Sequence, residues 1–469
     1  MKKNIIGIFI CTLLIVAAVL PLTGTIESSN IRKVNLERDL LLQPPEAWNK
    51  TFGGITSDIG YSVRQTTDGG FIVVGGTNTP MGDVYLIKTD AHGNKQWDNT
   101  FAGGVGYCVQ QTTDGGYIIA GKTAGVGDAL LIKTDANGVE QWNNTFGAGK
   151  YDSGYSVQQT TDGGYIVAGA YTYMGPPGTY DAWLIKTNSS GIMQWDKKFG
   201  GSYSDHAYSV QQTTDGGYIV AGSTDPTNSN VEVYLIKTDS SGVATWTKSF
   251  GGTNTDIGQS VQQTTDGGYT VTGWTDSIGA GLTDVYLIKT DSSGVATWTK
   301  TFGGTNYDDG RSVWQTSEGG YIVAGSTLSF GAGFSDVYLI KTDATGNEQW
   351  NETFGGGQND YGYCAQETAD GGYIIAGDTS SYGAGSSDVW LIKIGGGGPT
   401  LKLTFLLGAI ANLNTGGTQS TFDSVALLYI QLNPFKFGIY TSGETITVSN
   451  QYLGILTQSF AIGFFNAAI

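Results

Sequence analysis

Cysteine, histidine and proline are scarce in this chain of 469 residues, which contains three, two and nine of them. Cys11 lies in an apolar N-terminal run, so only Cys108 and Cys364 remain, too few for a disulfide framework. No H-E-x-x-H or paired C-x-x-C motif occurs, so the usual signatures of a zinc site are missing. Little proline and no G-X-Y period exclude collagen, although 73 residues are glycine.

Positive charge is also in short supply. Lys and Arg total 24 against 41 Asp and Glu, which gives a formal net charge of −17. Non-specific binding to nucleic acid needs the opposite sign, so we predict no nucleic-acid partner. Aromatic residues at 12% and hydrophobic residues at 39% exclude a disordered chain. The excess of acidic residues lies within residues 48–398.

The N-terminus has the pattern of a secretory signal. Two lysines precede an apolar run over residues 5–20, and small and polar residues follow. We predict a signal peptide over residues 1–24 and a linker over 25–47, and therefore a secreted or cell-surface protein. In the alternative interpretation the run stays uncleaved and anchors the protein. That anchor, or surface attachment, is the only membrane contact that we predict.

Three short motifs each occur seven times, at intervals of about 50 residues. A segment close to D-G-G-Y-I-V-A-G begins at Asp68, Asp114, Asp162, Asp215, Asp266, Glu318 and Asp370. An L-I-K segment begins at Leu86, Leu131, Leu184, Leu235, Leu287, Leu339 and Leu391. A W-x-x-x-F segment begins at Trp48, Trp97, Trp142, Trp195, Trp246, Trp298 and Trp350. This period is typical of β-propeller blades.

Each period contains four strand-like segments separated by Gly-rich turns, and no helical periodicity occurs. The series opens with an isolated W-x-x-x-F strand over residues 48–52 and closes with residues 388–394, which lack such a strand. We therefore predict an all-β fold, a seven-bladed β-propeller over residues 48–394 that is closed by the N-terminal strand. Closure removes two exposed sheet edges. An open β-solenoid is the alternative.

The C-terminal part shows none of the repeated motifs. We predict a Gly-rich linker over residues 395–400 and a small β-rich module over 401–469. Its strand-like runs are residues 401–407, 425–432, 437–440, 444–448 and 459–465. Surface attachment or assembly is the predicted role, and an accessory β-sandwich without a targeting role is the alternative.

The block D-G-G-Y-I-V-A-G…D-V-Y-L-I-K-T-D-x-x-G-x-x-x-W-x-x-x-F-G-G resembles secreted seven-repeat β-propeller surface proteins of archaea and bacteria. The portion L-I-K-T-D-A-N-G-V-E-Q-W is similar to the tryptophan-docking repeat of quinoprotein propellers. That resemblance implies that a Gly turn and a Trp lock neighbouring blades together. It does not imply the quinoprotein cofactor, because no adjacent Cys pair or cofactor-binding constellation is present. We predict no cofactor.

Residues that recur in every blade are predicted to serve the blade itself. The seven tryptophans are interpreted as structural core between blades, with stacking on a cofactor as the alternative. These tryptophans are Trp48, Trp97, Trp142, Trp195, Trp246, Trp298 and Trp350. The Gln that recurs at the position of Gln65 is predicted to satisfy backbone groups near the inner strand.

Two series of acidic residues lie at one end of the blades. One opens the third strand, and the other precedes the first strand of the next blade. Turn capping by side-chain oxygens explains both series. The alternative is that the first series binds a hard cation, with Ca²⁺ as the candidate ion. The candidate metal ligands are Asp83, Asp128, Asp181, Asp284, Asp336 and Asp388.

The connections between the second and third strands vary most in length, and the long ones carry aromatic residues. Loops on a rigid scaffold are common places for binding residues. We predict that these rings, on an acidic face, bind an extracellular glycan or protein, and the alternative is that they fold back over the blades. The candidate ligand-binding residues are Tyr171, Tyr173, Trp274, Phe330, Phe334 and Tyr382.

No catalytic residue is predicted. The chain has no nucleophile-elbow motif, and we identify no acidic residue that breaks the repeat. The predicted function is a non-enzymatic binding scaffold at the cell surface. The alternatives are a secreted carbohydrate-active enzyme of the glycoside hydrolase type, with carboxylates on the same face, and a structural envelope component.

Overall fold

The computed structural model describes residues 47–77, 82–125, 127–147, 151–172 and 179–395. It also describes the backbone of six further strands. The chain divides into two compact units, one within residues 43–398 and one that combines residues 1–42 with 399–469. Every regular element of the described residues is a β-strand, which confirms the all-β prediction. None of the described residues forms a helix that could span a membrane.

The first unit is a seven-bladed β-propeller, and each blade is an antiparallel sheet of four strands. The strands of blades 1 and 2 are β3 (Asp58–Gln65), β4 (Phe71–Thr77), β5 (Asp83–Thr89), β6 (Lys95–Ala102), β7 (Gly104–Gln111), β8 (Tyr117–Thr123), β9 (Ala129–Thr134) and β10 (Glu140–Phe146). Those of blades 3 and 4 are β11 (Ser153–Gln159), β12 (Tyr165–Thr172), β13 (Tyr180–Thr187), β14 (Met193–Phe199), β15 (His206–Gln212), β16 (Tyr218–Thr224), β17 (Glu232–Thr238) and β18 (Ala244–Phe250). Those of blades 5 and 6 are β19 (Asp256–Gln263), β20 (Tyr269–Thr275), β21 (Asp284–Thr290), β22 (Ala296–Phe302), β23 (Asp308–Gln315), β24 (Tyr321–Thr327), β25 (Asp336–Thr342) and β26 (Glu348–Phe354). Blade 7 consists of β27 (Asp360–Glu367), β28 (Tyr373–Thr379), β29 (Asp388–Ile394) and β2 (Trp48–Phe52).

The ring closes through the first strand of the propeller, as predicted. β2 pairs antiparallel with β29, with Trp48 opposite Lys393 and Phe52 opposite Val389. The N-terminal strand is therefore the outermost strand of blade 7, next to strands more than 300 residues away in sequence. This pairing covers the outer edge of β29 and completes the seventh sheet.

Burial within a blade follows the position of the strand. The second strand of blade 1, β4, is buried at all positions but the last, whereas the outermost strand β6 alternates between exposed and half-buried residues. The middle strands are enclosed by the neighbouring blades on both faces, so their sequences are continuous apolar runs. The first strands of adjacent blades contact one another and line the centre of the ring.

Each repeated tryptophan contacts the next blade. The Trp97 ring lies 5.9 Å from the Tyr117 ring, and a Cβ added to Gly138 would lie 2.5 Å from Trp97. Gly138 has φ +76°, so both the turn and the close ring contact require glycine. The other aromatic contacts of this type are Trp48–Phe71, Trp142–Tyr165, Trp195–Tyr218, Trp246–Tyr269, Trp298–Tyr321 and Trp350–Tyr373.

The lysine of each L-I-K segment is buried and pairs with the acidic residue of the D-G-G turn in the same blade. In blade 5 the Lys289 and Asp266 side chains lie 2.8 Å apart, and in blade 6 the Lys341 and Glu318 side chains lie 3.6 Å apart. The remaining pairs are Lys88–Asp68, Lys133–Asp114, Lys186–Asp162, Lys237–Asp215 and Lys393–Asp370. Because removing a lysine from water costs free energy, this paired carboxylate is part of the fold of every blade.

The Gln repeat at the end of each first strand satisfies backbone groups, as predicted, and those groups belong to the preceding blade. Gln111 Oε1 accepts a hydrogen bond from the Thr67 backbone N–H at 2.9 Å. In blade 7 the replacement Glu367 accepts from the Ser317 N–H in the same way. These bonds join neighbouring blades next to the centre of the ring.

The second unit is an antiparallel sheet of six strands, described here by its backbone. Its strands are β1 (Val34–Leu36), β30 (Lys402–Gly408), β31 (Val425–Leu432), β32 (Phe435–Tyr440), β33 (Tyr452–Thr457) and β34 (Phe460–Asn466). The sheet order is β1-β30-β31-β32-β34-β33. β1 falls within the segment predicted to be a linker and pairs with β30. β33 was not predicted, and the predicted signal peptide and the run 444–448 lie outside the described residues.

Candidate functional site

The connections of the propeller lie at two ends of the blades. The loop face consists of the connections between second and third strands and the connections between successive blades. The turn face consists of the T-D-G-G turns and the turns between third and fourth strands. In an antiparallel blade these two sets leave the sheet at opposite ends.

Three loops on the loop face share one design. They are residues 276–283 in blade 5, 328–335 in blade 6 and 380–387 in blade 7, and each contains a segment in which Ser, a large apolar or aromatic residue and Gly-Ala-Gly follow one another. In blade 6 the Ala332 N–H donates to Asp336 Oδ2 at 2.8 Å, and the Ser329 hydroxyl donates to Asp308 Oδ2 at 2.6 Å. The equivalent bonds in the other two blades are Ala280–Asp284, Ser277–Asp256, Ala384–Asp388 and Ser381–Asp360. Two aspartates, one from each acidic series, therefore hold each loop at both ends.

These three loops present exposed apolar side chains in consecutive blades. We call five exposed residues of these loops, together with Tyr307 in the connection between blades 5 and 6, the apolar array. Its six residues are 44% to 65% exposed: Ile278, Leu282, Tyr307, Phe330, Phe334 and Tyr382. Each loop packs on the connection to the next blade, since a Cβ added to Gly281 would lie 2.4 Å from the Gly304 carbonyl oxygen. The same contact joins Gly333 to Gly356. The loops of blades 5 and 6 thus pack against the connections that follow them, and the array lies on these neighbouring segments.

The predicted ligand-binding residues divide into different environments. Phe330, Phe334 and Tyr382 belong to the apolar array, and the Tyr382 hydroxyl donates to the Gly355 carbonyl at 2.9 Å. Trp274 lies within β20, where it pairs with Val285, and not in the loop that follows. Tyr171 is half-buried at the end of β12, against the Trp183 ring at 5.2 Å and the Lys198 ammonium at 3.8 Å. Tyr173 lies outside the described residues.

The two acidic series meet in pairs between blades. A Cβ added to Gly355 would lie 1.6 Å from Asp336 Oδ1 and 2.9 Å from Asp360 Oδ2, so both carboxylates crowd one glycine. Burial raises the pKa of Asp336, and the charge of Asp360 acts in the same direction. The pair around Gly303 is Asp284 with Asp308, and the pair around Gly53 is Asp388 with Asp58.

These pairs bear on the candidate metal ligands. In blades 5 to 7 the candidates Asp284, Asp336 and Asp388 are buried and accept backbone N–H bonds from their loops. In blade 1 Asp83 is half-buried and accepts from the Gly103 N–H at 2.9 Å. Asp128 and Asp181 are also half-buried. Among the described residues no three His, Cys, Asp or Glu side chains come together in a group able to hold a metal ion.

A polar cluster on the loop face departs from the sevenfold repeat of the propeller. It was not predicted from the sequence. Asp309 forms two hydrogen bonds with Arg311, at 3.0 and 2.7 Å, and the Arg311 guanidinium lies 4.8 Å from the Tyr363 ring. Asp378 accepts from the Ser387 hydroxyl and from Tyr363, and its Oδ1 has no partner among the described residues. Burial raises the pKa of Asp378.

Asp309 and Asp378 are acidic exceptions to the repeat, so the statement that none exists was wrong. In blade 1 the equivalent positions hold Ile59 and Gly76, which face each other across the sheet as Asp309 and Ser326 do in blade 6. An alignment of the first two strands of each blade in this register would have revealed both residues.

Comparison with known proteins gives little beyond the fold. No family model matches the chain. The regulatory protein FlaEY of Caulobacter vibrioides is 26% identical over 201 residues, which cover 37% of this chain and 21% of FlaEY. The chain thus spans about a fifth of the length of this curated relative.

Two of the similar solved structures are WD40 domains. The β-propeller domain of Doa1 is 12% identical, has a TM-score of 0.47, and covers 74% of this chain and 95% of its own. The WD40 domain of Neurospora crassa Pan2 is 11% identical, has a TM-score of 0.45, and covers 71% and 88%. The chain is a seven-bladed β-propeller with WD40-like structural neighbours.

Proposed function

We propose that this protein is an exported, non-enzymatic binding scaffold at the cell surface, and that its loop face binds an extracellular protein. The observation that carries the proposal is the apolar array, in which five exposed apolar side chains lie on loops of one design in three consecutive blades and the sixth, Tyr307, lies on the connection between blades 5 and 6. Single exposed apolar residues are ordinary, but a contiguous set on one face is typical of an interaction site.

The composition of the array favours a protein over a glycan. Aromatic rings such as Phe330 and Tyr382 suit either ligand, but Ile278 and Leu282 have no ring to stack on a sugar. Aliphatic and aromatic side chains together are typical of the dry centre of a protein interface. The loops that carry them are fixed by buried aspartates, so less conformational entropy is lost on binding.

A comparison of matched variants tests this proposal. The full chain would be incubated with the extracellular proteins of its source cells, crosslinked and analysed by mass spectrometry, and also applied to a glycan array. We expect defined crosslinks from the loop face, lost in the Phe330→Ala/Phe334→Ala variant. The control is Val243→Ala/Val295→Ala, two residues of the turn face that are each 54% exposed.

Two outcomes would contradict the proposal. Equal crosslinking by wild type and the Phe330→Ala/Phe334→Ala variant would show that the array does not bind the partner. Glycan binding that depends on the array, without protein crosslinks, would favour the glycan alternative.

The polar cluster favours a second candidate, a carbohydrate-active enzyme. Glycoside hydrolases use two carboxyl groups in different protonation states. Asp309 is paired with Arg311, whereas Asp378 is buried with a raised pKa. Release of reducing sugar from polysaccharides by the wild type, abolished in both Asp309→Asn and Asp378→Asn, would support this candidate. Absence of hydrolysis, or hydrolysis unaffected by both substitutions, would contradict it.

A further inference from the structure

The centre of the ring contains a polar cavity that the proposed function does not use. Its volume is about 390 Å³, and it is lined by the first strands of all seven blades. The lining reaches Thr67 in a T-D-G-G turn, so the cavity lies towards the turn face, away from the apolar array. The lining residues include glutamines, serines and one cysteine, Cys108, but no acidic side chain.

Five glutamines of one register form most of a ring around this cavity. Each accepts a hydrogen bond through Oε1 from the backbone N–H of the next blade, at 2.5 to 3.1 Å. They are Gln110, Gln158, Gln211, Gln262 and Gln366. Because a backbone N–H can only donate, the amide oxygen must face it, and the NH₂ group is left for the cavity. The ring therefore offers hydrogen-bond donors.

The serines of the neighbouring register add to this donor character. Ser209 Oγ accepts from the Val261 N–H at 3.1 Å, and Ser260 Oγ accepts from the Val313 N–H at 3.3 Å. A hydroxyl that accepts in this way keeps its own hydrogen to donate. Both serines line the cavity.

Two residues interrupt the glutamine ring, and the closed propeller places them close to each other. Arg64 in blade 1 and Trp314 in blade 6 occupy the two remaining positions, and the guanidinium carbon lies 5.8 Å from the indole centroid. Among the described residues, Arg64 forms hydrogen bonds only through Nη1, which donates to the Val63 carbonyl at 3.0 Å and to Cys364 Sγ at 3.2 Å. Nη2 and Nε keep their donors.

Arg64 carries the only charge in the lining of this cavity, among the described residues. In a chain with a net charge of −17, a half-buried guanidinium without a carboxylate partner is an exception. A buried cation is costly unless it is paired, and the pairing group with the geometry of the guanidinium fork is a carboxylate.

We propose that the central cavity binds a small organic carboxylate, whose carboxylate group pairs with Arg64 while the glutamine NH₂ groups donate to its other oxygens. A sugar acid fits this description, since it combines one carboxylate with several acceptor oxygens and a ring face for the Trp314 indole. The cavity volume lies in the usual range of small-molecule sites.

Calorimetric titration of the full chain with D-glucuronate tests the proposal, with the methyl ester of glucuronate as the neutral control. We expect the wild type to bind the acid and not the ester. Arg64→Gln places in blade 1 the residue that five other blades carry, so it keeps the fold while removing the charge. We expect it to weaken binding about tenfold to a hundredfold, as for loss of a charged hydrogen bond.

Further variants keep the result interpretable. Trp314→Gln completes the ring in blade 6, and we expect a smaller loss of affinity for glucuronate. Phe330→Ala, on the loop face, should leave glucuronate binding unchanged, so failure here and failure of the proposed function can be told apart. Equal binding of acid and ester, no binding of either, or full binding by an Arg64→Gln variant with an unchanged melting midpoint would overturn the proposal.

Discussion

Blades 5 to 7 and blades 1 to 3 have the same framework but differ on the loop face. In both groups an aspartate opens the third strand, yet Asp336 is 1% exposed whereas Asp83 is half-buried. The difference comes from the Gly-Ala-Gly loops, whose backbone N–H groups surround the carboxylate in blades 5 to 7. The aspartate that opens the third strand is thus a simple turn residue in blades 1 to 3, whereas in blades 5 to 7 it anchors the Gly-Ala-Gly loop.

The largest expected effect compares the aspartates of the two groups. Asp336→Ala removes the buried carboxylate that accepts from the Ala332 N–H and holds the loop, and we expect the free energy of unfolding to fall by about 2–3 kcal/mol, as for a hydrogen bond to a charged group. Asp83→Ala exposes its partner, the Gly103 N–H, to water, and we expect a loss of about 1 kcal/mol. Urea unfolding of both variants measures the difference. Equal losses would show that the loop does not depend on its anchor.

The framework was predictable from the sequence because it is repeated, and the long aromatic loops predicted Phe330, Phe334 and Tyr382 of the apolar array. Contacts between residues that are exceptions to the repeat were not predictable. The W-x-x-x-F strand at residues 48–52 and its missing counterpart after residue 394 predicted closure, and β2 confirms it. Arg64 and Trp314 are 250 positions apart, and only the curvature of a seven-membered ring brings them together. Asp309 takes the position that Ile59 has in blade 1, so only an alignment of the first strands of all blades shows it as an exception.

The second effect is the dependence of stability on pH. Acidification is expected to remove stability contributed by the turn face and to add stability on the loop face. Burial acts to raise the pKa of Asp266 on the turn face, but hydrogen bonds from Lys289 and Thr264 lower this pKa to about 2. Its contribution to stability is present above the unfolded value of 3.8 and is lost as the pH falls towards 2. Asp336 on the loop face has a raised pKa, so the folded state gains stability as the pH falls through that value towards 3.8.

Melting midpoints between pH 7 and pH 2 measure the pH-dependent contributions of both faces to stability. We expect a rise on acidification towards about pH 4, followed by a steep fall, because the pKa values of six turn-face aspartates are lowered from 3.8. Asp336→Asn should flatten the rise, and Asp266→Asn should reduce the fall. Superimposable curves for wild type and the Asp336→Asn variant above pH 4 would contradict the assignment of the rise to this group.

A smaller effect separates blades 5 and 6 on the turn face. Lys289 pairs with Asp266 at 2.8 Å, but Lys341 and Glu318 lie 3.6 Å apart, and the Lys341 ammonium also donates to the Thr316 hydroxyl. We expect Glu318→Asp to restore the closer pair and raise the free energy of unfolding by about 0.5 kcal/mol, since exposed partners add little. Asp266→Glu should cost a similar amount in blade 5. Denaturant midpoints that move in the opposite directions would contradict this account.

The smallest expected effect concerns the apolar array, which distinguishes blades 5 to 7 from blades 1 to 3. Phe334 is 65% exposed near the end of its loop, so Phe334→Ser should change the free energy of unfolding by less than about 0.5 kcal/mol. The buried Val323 of the same blade is the control, and Val323→Ala should cost about 2 kcal/mol or more. A large loss for Phe334→Ser would mean that the array stabilises the propeller, as the alternative of rings folded back over the blades requires. A negligible loss of stability would show that the fold does not need this exposed ring, as expected for a residue whose role is to bind a partner.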